Sequence, residues 1–198
     1  MIPAPVRVIK LGGSLLGWPE LTSRVRAWLA CQPPAANILI VGGGPIVEKL
    51  RELDREHQFS PAAAHWLSIR AMSLTAAIVA ELLEEAILVS SLEPLRLSPS
   101  AGLQILDVER FLREDQGSEG ALPCGWHVTS DSIAARVATV LNASELVLLK
   151  SVLPASESSR EAWSRTGFVD AHFARASSAL AVRSVNLRMP GFPQIVPG

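Results

Sequence analysis

The stretch Val6-Arg7-Val8-Ile9-Lys10-Leu11-Gly12-Gly13-Ser14 decides the fold. A β-branched apolar run that stops at two glycines reads as a buried strand and a tight turn. Leu21, Val25, Trp28 and Leu29 then recur at helical spacing. The same order returns after Pro33-Pro34: Asn37-Ile38-Leu39-Ile40-Val41 runs into Gly42-Gly43-Gly44, and Ile46, Val47, Leu50 and Leu53 follow at helical spacing. Two βα units in tandem, with strands apolar on both faces, predict a parallel sheet covered by helices on each side.

Working outward, Ser60-Pro61 opens a long helix to about Leu83, with proline where its missing N–H does no harm. Residues Ala86 to Ser90 and Leu103 to Leu106 read as strands, and Val108, Phe111 and Leu112 as a helix after the second. Gln116 to Gly120 is a loop. Thr129-Ser130 caps a helix lined by Ile133, Val137, Val140 and Leu141, and Glu145 to Leu149 is a strand ending at Lys150. The five serines at 151, 156, 158, 159 and 164, with Pro154, predict an exposed loop over residues 151–166. A helix around Val169 to Ala176 and a strand from Leu180 to Leu187 follow, and the proline-rich tail from Met189 cannot be helical. The expectation is one α/β domain over residues 1–198, a three-layer α/β/α sandwich with a mainly parallel sheet. Its lobes would divide near residue 125.

Composition removes several classes of function. With 198 residues, 48% of them hydrophobic, the chain can bury a core of aliphatic layers and is not disordered. Its 18 basic and 19 acidic side chains, with no basic run, do not make the cationic face that nucleic acid requires. The apolar runs Ile38 to Val47 and Ala76 to Val89 are respectively too short and broken by Glu81, Glu84 and Glu85, so no membrane span is expected. No secretory leader is read before Val6, which sets the expectation of a cytoplasmic protein. Cys31 and Cys124 lack metal-ligand spacing and read as semi-buried small residues, and no metal cluster is predicted.

The cations are unevenly written. Only Lys10, Lys49 and Lys150 are lysines, and the remaining 15 are arginines (18 − 3). Lysine supplies a compact ammonium that can follow a moving phosphoryl group, whereas arginine suits fixed bidentate contacts. Lys10 and Lys150 both stand at the carboxyl ends of strands, which share one edge in a parallel sheet, and Asp131 opens a helix that can lie between them. Two ammonium groups held apart by one carboxylate would neutralise charge on a transferring phosphoryl group. Glycine turns at the same edge present free N–H groups to anions, although glycines after strands also serve tight turning alone. Neither turn matches a dinucleotide fingerprint or a P-loop. Lys49, beside Glu48, Glu52 and Glu56, reads as a solvated surface charge.

Three segments, Lys10-Leu11-Gly12-Gly13-Ser14, Val41-Gly42-Gly43-Gly44-Pro45 and Thr129-Ser130-Asp131-Ser132, together resemble the amino acid kinase superfamily of acetylglutamate, aspartate and uridylate kinases. Within it, the segments Ala64 to Met72, Trp126 to Ser132 and Val169 to Phe173 look most like the kinase of the methanofuran pathway that acts on an aminomethylfuran-methyl phosphate. The resemblance implies Mg-ATP as phosphoryl donor. Lys10, Asp131 and Lys150 would be catalytic, Gly12, Gly13 and Ser14 would hold the nucleotide phosphates, and Gly42, Gly43, Gly44, Arg70 and Thr129 would face a small anionic acceptor. It also implies a homo-oligomer formed through helices such as the one carrying Trp66 and Met72. His65, on the same helix, reads as locally packed. Where relatives carry a carboxylate and an aromatic residue after the nucleotide-side strand, this chain has Leu149-Lys150-Ser151-Val152-Leu153-Pro154. A protein of the same fold that binds a nucleotide or oxyanion without turnover is the alternative.

Overall fold

A computed structural model describes residues 4–97, 101–154 and 159–198. The opening strand is β1 (Val6–Leu11), followed by a 3-10 turn (Gly13–Leu15) and α1 (Leu21–Ala30). The second unit is β2 (Ala36–Val41) and α2 (Gly44–His57), and the long helix is α3 (Pro61–Leu82). Next come β3 (Ile87–Val89), α4 (Glu93–Leu97), β4 (Gly102–Leu106) and α5 (Val108–Asp115). The remainder is α6 (Ser130–Val140), β5 (Glu145–Lys150), α7 (Arg160–Arg165), α8 (Phe173–Ala176), β6 (Val182–Asn186) and β7 (Gln194–Ile195).

The described strands form one sheet in the order β3-β4-β2-β1-β5-β6-β7, parallel except for the antiparallel β6/β7 pair. β1 therefore sits at the centre, between β2 and β5, with Lys10 opposite Ile40 on one side and Leu148 on the other. Strand side chains alternate between faces, and the two faces build separate cores. Val8, Ile38, Ile40, Leu146 and Leu148 meet Ile133, Ala134 and Val137 of α6 and Phe111 of α5. Ile9, Leu11, Leu39 and Val147 meet Val25 and Trp28 of α1. This is the three-layer sandwich that the tandem βα pattern predicted.

Three local expectations are corrected. The 151–166 segment holds a helix, α7, because Trp163 is fully buried and Ser159 caps the turn by accepting from the Ala162 N–H at 3.3 Å; Ser156 and Ser158 lie outside the described residues. The helix expected from Val169 is helical only over Phe173–Ala176. Cys31 and Cys124 are exposed free thiols.

By length and composition α3 is apolar enough to cross a bilayer. Here Ile69, Met72, Ala76 and Val79 pack into the two cores and Ala64 is buried, while Leu74, Ile78 and Leu82 stay exposed, so packing accounts for one face of the helix.

The carboxyl edge of the sheet is shaped by contact between the two glycine turns. A Cβ on Gly13 would lie 2.3 Å from the Gly44 nitrogen, and one on Gly44 would lie 2.6 Å from the Gly13 carbonyl oxygen. Gly44 also takes a left-handed φ of +52°, which side chains disfavour. Because the obstacle at Gly13 is main chain, no rotamer change relieves it. We expect Gly13→Ala to lower unfolding free energy by roughly 1–3 kcal/mol. Gly17→Ala, where nothing lies within 4 Å of the added Cβ, should leave stability nearly unchanged. Urea unfolding of both variants checks this.

Candidate active site

Lys10 shares the face of Val8, and Lys150 shares the face of Leu146 and Leu148, so both ammonium groups emerge on the side covered by α6. α6 begins beside that edge and presents Asp131 in its first turn. Asp131 Oδ1 lies 2.9 Å from Lys10 Nζ, and Asp131 Oδ2 lies 2.9 Å from Lys150 Nζ. Lys150 Nζ also donates to the Phe168 carbonyl at 2.7 Å and stands 4.9 Å from the Phe168 ring centroid. Lys10 and Asp131 are buried and Lys150 is nearly so, its side chain 14% exposed. Two cations and one carboxylate leave one net positive charge at the sheet edge.

Burial would push the Asp131 carboxyl up, but the ammonium groups of Lys10 and Lys150 outweigh it and hold the carboxyl below its usual range. Burial lowers Lys150 from 10.5 to about 8; Lys10 adds to that shift, while Asp131 and Asp170 oppose it.

Beside this group the two glycine turns, α2, α3 and the start of α6 enclose a cleft of about 200 Å³. Gly42, Gly43 and Gly44 line it, as do Gly13, Ser14 and Thr129. Ser14 Oγ also lies 3.3 Å from Ser151 Oγ, across from the end of β5. At Gly42 an added Cβ would meet the Gly13 nitrogen at 2.9 Å and Ser130 Oγ at 3.0 Å, so the glycine keeps this edge open. The first N–H groups of a helical turn have no partner within it, and both the Gly13–Leu15 turn and α2 begin here.

Arg70 does not join the site. Its side chain is 64% exposed, and its Nε lies 3.5 Å from Glu109 Oε1 of α5. The arginine that lines the cleft is Arg51 of α2. Its guanidinium lies 4.4 Å from the Trp126 ring centroid, and its buried Nε makes no hydrogen bond among the described residues, with Glu48 Oε1 3.5 Å away. Trp126 is fixed in turn, because its indole N–H donates to Asp54 Oδ2 at 2.6 Å. The sequence carried a signal for Arg51: it stands seven residues after Gly44, two helical turns along the same face.

His65 is buried, T-stacked on Trp66 at 5.1 Å, and its Nδ1 accepts from the Gly125 N–H at 3.4 Å, which is the local packing expected of it. Burial, reinforced by His127, lowers its imidazole. Lys49 is exposed and paired with Glu52 at 2.7 Å. Among the described residues no group of three or more His, Cys, Asp or Glu gathers to hold a metal ion.

A buried, net-positive pair of lysines beside a small cleft suits chemistry that neutralises a phosphoryl group in motion toward a small acceptor, which is the work of a small-molecule kinase. Residues 5–153 match the amino acid kinase family, and the chain belongs to that family. Its fold is similar to that of a UMP kinase from Bacillus anthracis, at 14% identity and a TM-score of 0.64 over 96% of this chain and 90% of that one. Uridylate kinase from Archaeoglobus fulgidus is similar at 16% identity and a TM-score of 0.61, over 98% and 91% of the respective chains. Aspartate kinase from Synechocystis is similar at 13% identity and a TM-score of 0.64, over 98% of this chain and 40% of that one. No curated protein sequence matches the chain.

The low Lys150 value has a signed consequence. Unfolded, the lysine keeps its proton to about 10.5, and folded it releases it near 8. Between those values the unfolded state binds the extra proton, so raising the pH favours the folded state. The stability of the native chain should therefore rise relative to Lys150→Met from pH 8 to 10.5. Denaturant unfolding at several pH values gives the difference, and a flat difference contradicts the assignment.

Proposed function

We propose that this chain transfers the γ-phosphoryl of Mg-ATP to a small anionic acceptor, and that the acceptor is a phosphomonoester of the size of an aminomethylfuran-methyl phosphate. One observation carries the reading: Asp131 bridges Lys10 and Lys150 at 2.9 Å each, at the sheet edge next to the cleft floored by Gly42 to Gly44. The donor set fits a polyphosphate, with two ammonium groups and the N–H groups of Gly13 and Ser14 at the start of the Gly13–Leu15 turn. Gly12, Gly13 and Ser14 would hold its phosphates. A divalent cation would come bound to those phosphates, the usual arrangement for magnesium, and would offset their charge.

Asp131 keeps both lysines ionised and aimed, while Lys10 and Lys150 stabilise charge that grows on the phosphoryl oxygens. No general base is needed when the attacking group is already an anionic oxygen. On the acceptor side, Thr129 and the Gly42 to Gly44 turn face the cleft, and Arg51 takes the anion-binding role that the sequence gave to Arg70. Its stacking on Trp126 presents the guanidinium edge without loss of the ring contact. A cleft of about 200 Å³ favours a compact acceptor.

Self-association through α3, the helix that carries Trp66 and Met72, belongs to the same reading. Met72 is buried. Leu74, Ile78 and Leu82, four residues apart along α3, are 52%, 42% and 46% exposed, and the edge strand β3 adds Ile87 and Leu88. Exposed thiols at Cys31 and Cys124 fit the reducing cytoplasm.

ADP release in the presence of phosphorylated or carboxylated acceptors tests the proposal. Lys10→Ala should lower kcat/KM on the order of 100-fold or more. Arg51→Ala should raise the acceptor KM roughly 10- to 100-fold, the worth of a charged hydrogen bond, with the KM for ATP unchanged. Turnover should decline above pH 8 as Lys150 loses its proton. ATP binding without ADP release for any acceptor would instead identify a nucleotide-binding module.

A further inference from the structure

Behind the lysine pair, the loop between α7 and α8 makes contacts that the reading above does not use. Asp170, in that loop, accepts five hydrogen bonds. Oδ2 receives the Thr129 N–H at 3.0 Å, the Thr129 hydroxyl at 2.9 Å and the Ser132 N–H at 3.0 Å; Oδ1 receives the Ser132 hydroxyl at 2.5 Å and the His172 N–H at 3.0 Å. The first turn of α6 is therefore capped by a carboxylate 38 residues further along the chain. Thr129 caps it only weakly, since its Oγ1 stands 3.4 Å from the Asp131 N–H while its proton goes to Asp170. A carboxylate among the free N–H groups at a helix N-terminus is favourable, and it fixes that end in space.

The loop that carries Asp170 is itself held. The Phe168 N–H bonds the Trp163 carbonyl at 2.9 Å, the Phe168 ring meets Trp163 edge-on at 5.2 Å, and the Ser164 hydroxyl donates to the Asp170 carbonyl at 3.0 Å. Trp163 is fully buried. From this base the loop reaches the site twice, through the Phe168 carbonyl on Lys150 and through Asp170 on both sides of Asp131 in the sequence, at Thr129 and Ser132. All of these loop residues lie beyond residues 5–153 that match the family.

We infer that Asp170 is a positioning residue: it locks the first turn of α6 so that Asp131 stays between Lys10 and Lys150, and the segment outside the family match thereby supplies the clamp of the site. The inference rests on the kinase reading for its effect on turnover, but the clamp itself is measurable without turnover. The charged groups that act on the Lys150 ammonium are Asp131 of α6, Lys10 of β1 and Asp170 of the loop, and Asp170 favours the protonated form. The chain has three lysines, so a carbon-proton correlation spectrum of lysine Cε groups resolves three titrations.

In Asp170→Asn the Lys150 midpoint should move to lower pH, and kcat should fall on the order of 10- to 100-fold with the acceptor KM little changed, as for a misplaced reacting group. Ser132→Ala removes one hydroxyl donor and no charge; it should leave the Lys150 midpoint in place and lower kcat a few-fold. If Asp170→Asn does not fold, Ser132→Ala carries the test, and an unchanged kcat there overturns the inference. A Lys150 midpoint unmoved in folded Asp170→Asn also overturns it. Absence of transfer by the native chain with every acceptor would sink the kinase reading, while the lysine titration would still decide whether Asp170 acts on Lys150.

Discussion

Two ammonium groups can be buried side by side only with a carboxylate between them. Desolvation penalises each charge separately, and the repulsion of Lys10 and Lys150 adds to that penalty. Asp131 offsets both at once, which is why its two oxygens are divided between the lysines at 2.9 Å each. The demand fixes three elements together, since β1, β5 and the first turn of α6 must meet at one point. The opposite end of the same strand pair obeys the same rule with other residues. Glu145 bridges Arg7 at 2.5 Å and Arg183 at 2.7 Å, and the Arg7 fork also reaches the Pro33 carbonyl and the Asn37 side chain. There the Nε of each arginine donates to Glu145, and further donors go to Pro33, Asn37, Gln32 and Gln194. At the lysine end each ammonium keeps capacity for a ligand, which gives the scarcity of lysine in this chain a chemical sense.

The cleft is built on a different principle. No residue of α2 is buried, so this helix is a wall whose inner face is set by what it borders. Trp126 is anchored through Asp54, and Arg51 is laid over it with a buried Nε left over. Buried guanidinium nitrogens are ordinarily hydrogen-bonded, and this one has only Glu48 Oε1, 3.5 Å away. The lysine end of the site thus offers fixed charge with little freedom. The α2 side offers a guanidinium laid over the Trp126 ring beside Glu48.

Most of this was legible in the sequence wherever the information was periodic. The β1 and β2 runs, their glycine stops and the helices after them gave the parallel sheet, and the strand ends at Lys10 and Lys150 put the two lysines on one edge. The α6 cap gave Asp131. What escaped notice was short or distant. α7 has six residues, too few to show an amphipathic period against a serine-rich background. Asp170 acts on residues 38 and 41 positions earlier, and no local spacing encodes such a contact. Arg70 and Arg51 sit on neighbouring helices, Arg51 in a charged run that reads as solvated surface and Arg70 in an apolar one. The packing of α3 against α5 turns Arg70 toward Glu109 and away from the cleft. The exposure of Cys31 and Cys124 was likewise decided by tertiary packing, because a free cysteine is equally at home in a core.

The contact between Gly13 and Gly44 bears on how such a chain can diverge. The turn proposed for the donor phosphates and the turn proposed for the acceptor touch through main-chain atoms, with no side chain interposed. The spacing between the two halves of the site is then a property of the backbone and is insulated from substitution at the surrounding positions. Specificity can drift through α2, α3 and the Trp126 loop while the reaction distance is inherited unchanged. In that sense the glycine pair is a ruler, and the rest of the cleft is free to change what is measured against it.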